Sequence, residues 1–492
     1  MPNVATLLWA AADADPAAPA VVDPAGTHGY GALRARAAAV AAALRSGGVR
    51  PGDRVAILLE RGADAAAACF GAAAAGAVAV VVNDTLRARQ VEYLLEHCGA
   101  STLLTSAALL ARQGRTPCTP ARIVDVADLP ARGAADPVER PADEAAQIIY
   151  TSGSTGMPKG VVHSHAGLVA GARTISGYLG LRATDRTASI LPFSSVYGFN
   201  QLLCAVATGG TLVVERSPLA SAVAAALRRE GVTVLAAVPP LWHQLLRAPE
   251  FAERPLPALR IAQNAGGHLP AEAVRRLRAA QPGARLFLQY GLTEVIRSTF
   301  LPPDEVDRRP GSMGTAVPGA RVEVVRPDLT PCAPGEAGEL VHRGPTVALG
   351  YWNDPEATAR VFRACPTHGR AVFSGDVVRR DEDGFLHFVG RTDRMIKTMG
   401  YRVGPDEVAD VLFGSGAVAE AVVTAEPDPA RGERIVAHVV LRPGAAVERL
   451  EAFCRAEMPR YMQPARIQVH DALPRGAAGK YDTGALRVPC AA

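Results

Sequence analysis

The chain has 492 residues, 52 basic and 48 acidic side chains, and a formal net charge of +4. A balance so close to neutral gives no charge-based reason to expect nucleic acid or an anionic membrane as a partner. With 49% apolar and 20% charged residues the chain is globular rather than disordered. At ~150 residues per domain the length suggests about three domains, or one large and one small. Only Lys159, Lys397 and Lys480 are lysines, so the other 49 basic residues (52 minus 3) are arginine. GC-rich codon usage accounts for that bias, but a compact ammonium is not always replaceable by a planar guanidinium, so each surviving lysine is worth locating. The eight cysteines form no CxxC pair, which argues against a zinc ribbon and for buried thiols in a reducing compartment. No basic segment precedes an apolar one at the N-terminus, so no signal peptide is expected and a cytoplasmic location is.

Elements follow in chain order. Residues 30–48 read as a helix ending at Gly47-Gly48, 53–59 as a short apolar strand, and 91–100 as a further helix. Between them, Ala65 to Val82 carries no charge and approaches the length of a membrane span. It is Ala- and Gly-rich, and Gly76 divides it into a helix-like half and a Val-rich strand, so no span is expected. Strand, helix and strand recur over 211–238. This alternation predicts an α/β fold with largely parallel sheets. After about residue 310, short alternating segments such as RVEVV, GELVHRG and GFLHFVG predict a β-rich part, and from Val408 helix and strand alternate again. A domain boundary is expected near 390–400.

The most informative segment is Ile148 to His165, IIYTSGSTGMPKGVVHSH. An apolar strand enters a loop of Ser, Thr and Gly closed by Pro158-Lys159-Gly160, and a second strand follows. Small residues let several backbone N–H groups and hydroxyls converge on one anion, and Lys159 adds a point charge, which is how a loop holds polyphosphate. It is not a Walker A loop, which needs Gly before and Ser or Thr after the lysine and opens a helix.

TSGSTGMPKG resembles the signature loop of the acyl-adenylate-forming superfamily: acyl- and aryl-CoA synthetases, luciferases and nonribosomal peptide adenylation domains. Further motifs occur in that superfamily's order, so the resemblance spans essentially the whole chain. It implies a large N-terminal domain (1–392) of two stacked, mainly parallel sheets plus a β-rich subdomain. A small, mobile α+β C-terminal domain (393–492) would follow. It also implies ATP, Mg²⁺ and a thiol from CoA or phosphopantetheine. Thr151, Ser152, Gly153, Ser154, Thr155, Gly156 and Lys159 would hold phosphate. In QYGLTE, Tyr290 would stack on adenine beside Gly291, Thr293 would meet the α-phosphate region, and Glu294 would bind the metal with Thr155. In NAGGHLP, Gly266 and Gly267 would let a planar ring approach the backbone, with Asn264 on the acyl side. Asp376 and Arg391, in SGDVVRRDEDGFLHFVGR, would meet the ribose, while Asp381 and Asp383 belong to a turn. Ser374 departs mildly from the Thr more common in this motif.

In GRTDRMIKTMGYRVGPDEV the resemblance puts the hinge at Asp393. It places the thiol side at Gly400 and Arg402, and a second-step lysine at Lys397. Lys480, in a Gly-rich loop near the C-terminus, would be the adenylation lysine. LPFSSVYGFNQ resembles the acyl-pocket motif, which adds Ser195, Val196, Tyr197 and Gly198 to Gln289 and Val295. Amino-acid-activating members carry Asp where this chain has Val196, and an ammonium left unpaired there would cost several kcal/mol. The expected substrate is therefore a carboxylic acid without a free α-amino group. Ser195 stands where many CoA synthetases have His.

The expected activity is an AMP-forming acid–thiol ligase. Two alternatives remain: an adenylating enzyme serving a carrier protein or a non-thiol nucleophile, and a non-catalytic nucleotide-binding protein. Three patterns are decoys. GSGAVA at 414–419 follows a helix, not the strand a dinucleotide fingerprint needs. His163 and His165 would share a strand face but lack a third metal ligand. No GxSxG occurs.

Overall fold

The computed structural model describes residues 3–113, 122–151, 158–365, 369–392, 396–398, 401–428, 432–476 and 479–486. Two large sheets lie in the first four-fifths of the chain, and a third sheet begins at Ile396. The seven-stranded sheet runs Gly350–Tyr351, Lys159–Ser164, Ala145–Thr151, Val78–Val81, Arg54–Ile57, Ala100–Thr105, Arg122–Asp125. Its last five strands are parallel, and the central Val78–Val81 is wholly apolar and buried, as a strand covered on both faces must be. Lys159–Ser164 returns antiparallel to Ala145–Thr151, pairing Thr151 with Lys159 across the mouth of the Ser/Gly loop.

The uncharged stretch 65–82 divides as expected. Helix Ala63–Ala74 is buried along nearly its whole length, Gly76 turns at φ +81°, and the strand Val78–Val81 follows. The close approach is visible at Gly71, where a Cβ would lie 2.6 Å from Ala37 O of the helix Tyr30–Ser46. Alanine and glycine here permit two helices to touch backbone to backbone. Among the described residues no helix is long and apolar enough to cross a membrane.

The second sheet has fourteen strands. Its core is parallel, in the order Pro19–Asp23, Thr211–Val214, Arg186–Ser189, Val234–Ala237, Ile261–Asn264, Arg285–Tyr290. At Arg285–Tyr290 it turns antiparallel through Thr299–Leu301 and Ser312–Ala316. The β-rich part after residue 310 is thus a hydrogen-bonded continuation of this sheet, because Ser312–Ala316 pairs with Leu386–Arg391. Helix Val196–Thr208 and helix His165–Leu179 pack into the main apolar core between the two sheets.

The third sheet joins Tyr401–Val403, Ile396–Thr398, Gly432–Leu441, Val418–Asp428 and Arg466–Val469 around its own core, with helices Pro405–Gly414 and Val447–Glu457. Contacts among the described residues hold it against the larger part, including an ion pair of Arg379 with Glu407 at 3.6 Å. The His243 ring stacks on Phe413 at 5.2 Å, and His268 Nε2 meets Asp410 Oδ1 at 2.8 Å. Buried Glu420 accepts from Arg247 at 3.2 Å and from Arg475 at 3.0 Å.

Two of the decoys resolve structurally. GSGAVA does follow a helix, Pro405–Gly414. His163 lies in strand Lys159–Ser164, but His165 opens helix His165–Leu179, so the two do not share a strand face. Burial pushes each ring down to about 4, neutral at pH 7, and among the described residues no cluster of three metal-ligating side chains occurs.

Candidate active site

A cavity of about 690 Å³ opens where the parallel strands of both sheets end and the third sheet closes over them. Strand ends and the loops beyond them are where α/β sheets leave a crevice for ligands. Its walls include Thr151, Lys159, Asn264, Gly266, Gly267, Gln289, Tyr290, Gly291, Thr293, Glu294, Asp376, Arg391 and Lys480. Residues more than 300 positions apart in the chain therefore share one space.

The ribose-facing candidates form a hydrogen-bonded cluster. Asp376, which is buried, accepts from Arg391 Nη1 at 2.7 Å through one oxygen and from the Tyr290 hydroxyl through the other. Burial and the Asp376 charge raise the Tyr290 phenol well above its ordinary range, so it is a neutral donor. Ser374 builds the turn beneath them. Its hydroxyl donates to Leu340 O at 2.7 Å and accepts from Asp376 N at 3.1 Å, while Gly375 takes φ +69°. A serine satisfies both bonds, which removes the significance of its departure from Thr.

Glu294 is held by a residue that motif reading missed. The Tyr351 hydroxyl donates to Glu294 Oε1 at 2.6 Å, and Lys159 Nζ lies 5.5 Å from the centre of the same ring. Tyr351 sits on an edge strand paired to Lys159–Ser164, so the strand pairing itself brings Lys159 and Glu294 to the same ring. Burial and Glu294 raise the Tyr351 phenol. Thr293 opens a short 3₁₀ turn, Thr293–Val295, without capping it by its side chain.

Lys480 stands beside the NAGG turn. Gly266 has φ +80°, and a Cβ there would lie 3.3 Å from Lys480 Cε and 3.2 Å from Val238 Cγ1. A Cβ on Gly267 would meet Pro239 at 3.1 Å. The space left by these glycines is thus taken in part by Lys480, Val238 and Pro239 rather than standing open to a ring. Gly479 at φ +75° and the bond from Gly476 N to Lys480 O, 2.8 Å, shape the loop that delivers the lysine.

The acyl-side candidates divide. Asn264 and Gln289 line the cavity and are buried, and the Gln289 amide and Asn264 Oδ1 make no hydrogen bond among the described residues. Ser195 is the N-cap of helix Val196–Thr208, accepting from Gly198 N at 3.0 Å and donating to Pro192 O at 2.8 Å. That cap explains a serine there. Tyr197 is buried, its hydroxyl donating to Gln263 O at 2.9 Å. None of Ser195, Val196, Tyr197 and Gly198 is among the cavity-lining residues. Val295 is also not among them. It is fully buried and packs with Val161, Ala348, Phe362 and Val372 beneath the Lys159–Ser164 strand. The reason is the 3₁₀ turn, which points successive residues to different sides.

Ser152, Gly153, Ser154, Thr155, Gly156, Asp393 and Gly400 lie outside the described residues. Lys397 and Arg402 face each other as a backbone pair in the hairpin of Ile396–Thr398 and Tyr401–Val403.

Residues 8–352 match the AMP-binding enzyme family, and residues 407–480 match the AMP-binding enzyme C-terminal domain. The chain belongs to the AMP-binding enzyme family. It is 36% identical over 99% of its length to a probable non-canonical nonribosomal peptide synthetase, CymA, of Salinispora arenicola, of which it spans 6%. It is 33% identical to the feruloyl-CoA synthase of an Amycolatopsis species, covering 93% of both chains. Among solved structures it resembles o-succinylbenzoate CoA synthetase from Bacillus subtilis. The complex with the acyl-adenylate intermediate gives a TM-score of 0.85 at 29% identity, covering 99% of this chain and 98% of the other. The complex with ATP and magnesium ion gives 0.82 at 29% identity, covering 98% of both. Membership makes this chain an ATP-dependent, AMP-forming acid ligase, and the fold of this family is the architecture described above.

Proposed function

We propose that this chain activates a carboxylic acid lacking a free α-amino group as its acyl-AMP and passes the acyl group to the thiol of CoA. The observation that carries the reading is the meeting of Lys480, from the C-terminal loop, with the Gly266 turn in the cavity that also holds Glu294 and the Asp376–Tyr290–Arg391 cluster.

The residues present fit a magnesium nucleotide. Mg²⁺ keeps most of its shell as water and substrate phosphate and takes only one or two carboxylates from a protein. Glu294, fixed by Tyr351, is such a carboxylate, with Thr155 as the second expected ligand. Bound there, the ion would neutralise phosphate charge. Asp376 would accept from the ribose hydroxyls while Arg391 and Tyr290 hold it in place. Lys159 and Lys480 would bring positive charge to the phosphates. In the first step a carboxylate oxygen attacks the α-phosphorus and the bond to pyrophosphate breaks. Lys480 balances the charge that builds between carboxylate and phosphate, and loss of one comparable preorganised group costs ~3–4 kcal/mol in the transition state. In the second step the thiol sulfur attacks the acyl carbonyl and AMP leaves. For that step the C-terminal part, from the hinge at Asp393, would exchange the Lys480 loop for the face bearing Lys397, Gly400 and Arg402. Dividing the reaction lets one cavity run two chemistries.

The absence of an α-amino group is supported by Val196. It is the first residue of helix Val196–Thr208, where the partial positive charge of the helix N-terminus disfavours an ammonium and the first turn carries no acidic residue. A carrier-protein phosphopantetheine is the competing acceptor, favoured by the likeness to a peptide synthetase segment. Product analysis with CoA and with a phosphopantetheinylated carrier separates them: acyl-CoA formation supports the reading, and acylation of the carrier alone overturns it.

A further inference from the structure

Arg297 is buried at 3% exposure, and its Nε and Nη2 make no hydrogen bond among the described residues. Most surplus arginines of this chain lie on its surface, where solvent satisfies them. This one lies in the interior. Its Cζ stands 4.7 Å from the centre of the Tyr197 ring, and it acts on the buried Tyr178 phenol by charge and by side-chain hydrogen bonding and on Cys204 by charge. A guanidinium in such surroundings bears a desolvation cost that an aromatic face offsets only in part.

The backbone is strained to put it there. Ile296 adopts φ 61°, ψ −59°, and Arg297 N donates to Val295 O at 2.6 Å, which is a γ-turn of the rare, strained kind. For a β-branched residue this conformation is costly, and such strain persists where the surroundings enforce it, often at ligand sites. Gly171 leaves room for the turn, since a Cβ there would lie 2.9 Å from Ile296 Cδ1. A Cβ on the cavity-lining Gly291 would lie 2.8 Å from Arg297 Cα, so the Arg297 backbone packs directly behind that part of the wall, although Arg297 is not itself among the lining residues. Other buried polar groups also make no hydrogen bond among the described residues: the Gln289 amide, which lines the cavity, Asn200 Nδ2, 3.7 Å from a Cβ on Gly171, and Oε1 of Gln263, whose backbone oxygen holds the Tyr197 hydroxyl. Core space for an apolar acyl chain would not be furnished this way.

We propose that Arg297 pairs a second anionic group, a carboxylate or sulfonate at the far end of the acid, so that the preferred substrate is dianionic. The inference rests on the acid-ligase reading and names its substrate class. A fork of N–H donors meets a carboxylate or sulfonate with two parallel bonds, which is the geometry an ammonium lacks. The same charge reinforces exclusion of a substrate ammonium at Val196.

The test is acid-dependent ATP–pyrophosphate exchange over size-matched pairs: adipate against its monomethyl ester, terephthalate against 4-methylbenzoate, and 4-sulfobenzoate against benzoate. Exchange with the wild type should favour the dianion of at least one pair by about tenfold or more in kcat/KM. Arg297→Met should lower that dianion by at least about a hundredfold and the neutral partner by less than about threefold. Preference for the neutral acid in every pair, or equal loss of both acids in Arg297→Met, overturns it. Thermal shift gives an independent readout. Arg297→Met fills the same space without the charge and should melt no lower than wild type, and it should lose the stabilisation that the dianion confers. A dianion that stabilises variant and wild type equally overturns the inference, and Arg297→Gln serves in the same comparison if the Met variant does not fold. Absence of exchange with every acid overturns the ligase reading instead, and the thermal shift still decides the role of Arg297.

Discussion

At the scale of single residues, the site is built from neutral phenols holding carboxylates. Tyr351 fixes Glu294 and Tyr290 fixes Asp376, in both cases with a phenol whose ionisation burial and the acid suppress. Removing a group that orients a metal ligand typically costs 10–100-fold in metal affinity. Tyr351→Phe should therefore raise the magnesium concentration needed for half-maximal pyrophosphate exchange by about tenfold, with the fold intact, as a titration with Mg²⁺ at saturating ATP would show. An unchanged requirement would remove Tyr351 from the site. Asp376→Asn should weaken ATP binding by about 10–100-fold, since hydrogen bonds to a charged group contribute ~1.5–3 kcal/mol. The readout is KM for ATP.

At the scale of elements, helix Val196–Thr208 shows how tightly a helix start can be specified. A Cβ added at Gly198 would lie 2.2 Å from Pro192 O and 2.8 Å from Leu191 O. Alanine would gain ~1 kcal/mol of helix propensity, but forcing a methyl against backbone costs ~1–3 kcal/mol. Because the obstacle is backbone, the clash should win, and Gly198→Ala should lower the denaturant midpoint. The contact of His268 with Asp410 ties the NAGG turn to helix Pro405–Gly414. Burial lowers the His268 pKa, Asp410 and Asp406 raise it, and the net direction is up. Docking of the C-terminal part thus takes up a proton. Its contribution is full below the ordinary histidine value of ~6.5 and is lost as pH rises through the docked value. A fluorescence pair across the two parts should report less docking in the wild type above that range and a flat profile in His268→Gln.

Much of this element level was legible in the sequence, for local reasons. The Ala run, Gly76 and the Val run of 65–82 carry their own periodicity and breaker, and each motif strand is marked by a short apolar run ending in glycine. Tyr351, Arg297 and the His268–Asp410 contact were not legible. Each acts across 57 residues or more of chain or through a backbone turn, and nothing in a local pattern distinguishes a buried arginine among 49. Val295 packs in the interior next to the cavity-lining Glu294, a difference of direction that adjacency in sequence does not give once the chain enters a 3₁₀ turn.

At the scale of the whole molecule, the account makes the three lysines markers of one reaction in two states. Lys159 and Lys480 line a single cavity although 321 residues (480 minus 159) separate them. Lys397 belongs to a hairpin of the third sheet. Lys480→Ala should reduce adenylation by two orders of magnitude or more, in line with the ~3–4 kcal/mol quoted for a preorganised group. Lys397→Ala should leave adenylation nearly intact and slow thioester formation. Single-turnover assays of acyl-AMP formation and of its consumption by CoA separate the two, and equal loss in both steps would count against Lys397.

The most direct measurement is acid-dependent exchange of labelled pyrophosphate into ATP, run without CoA over a broad panel of carboxylic acids. The account predicts exchange that depends on an acid and on Mg²⁺ and is abolished in Lys480→Ala. Absence of exchange with every acid, or exchange unaffected by loss of Lys480, would contradict it.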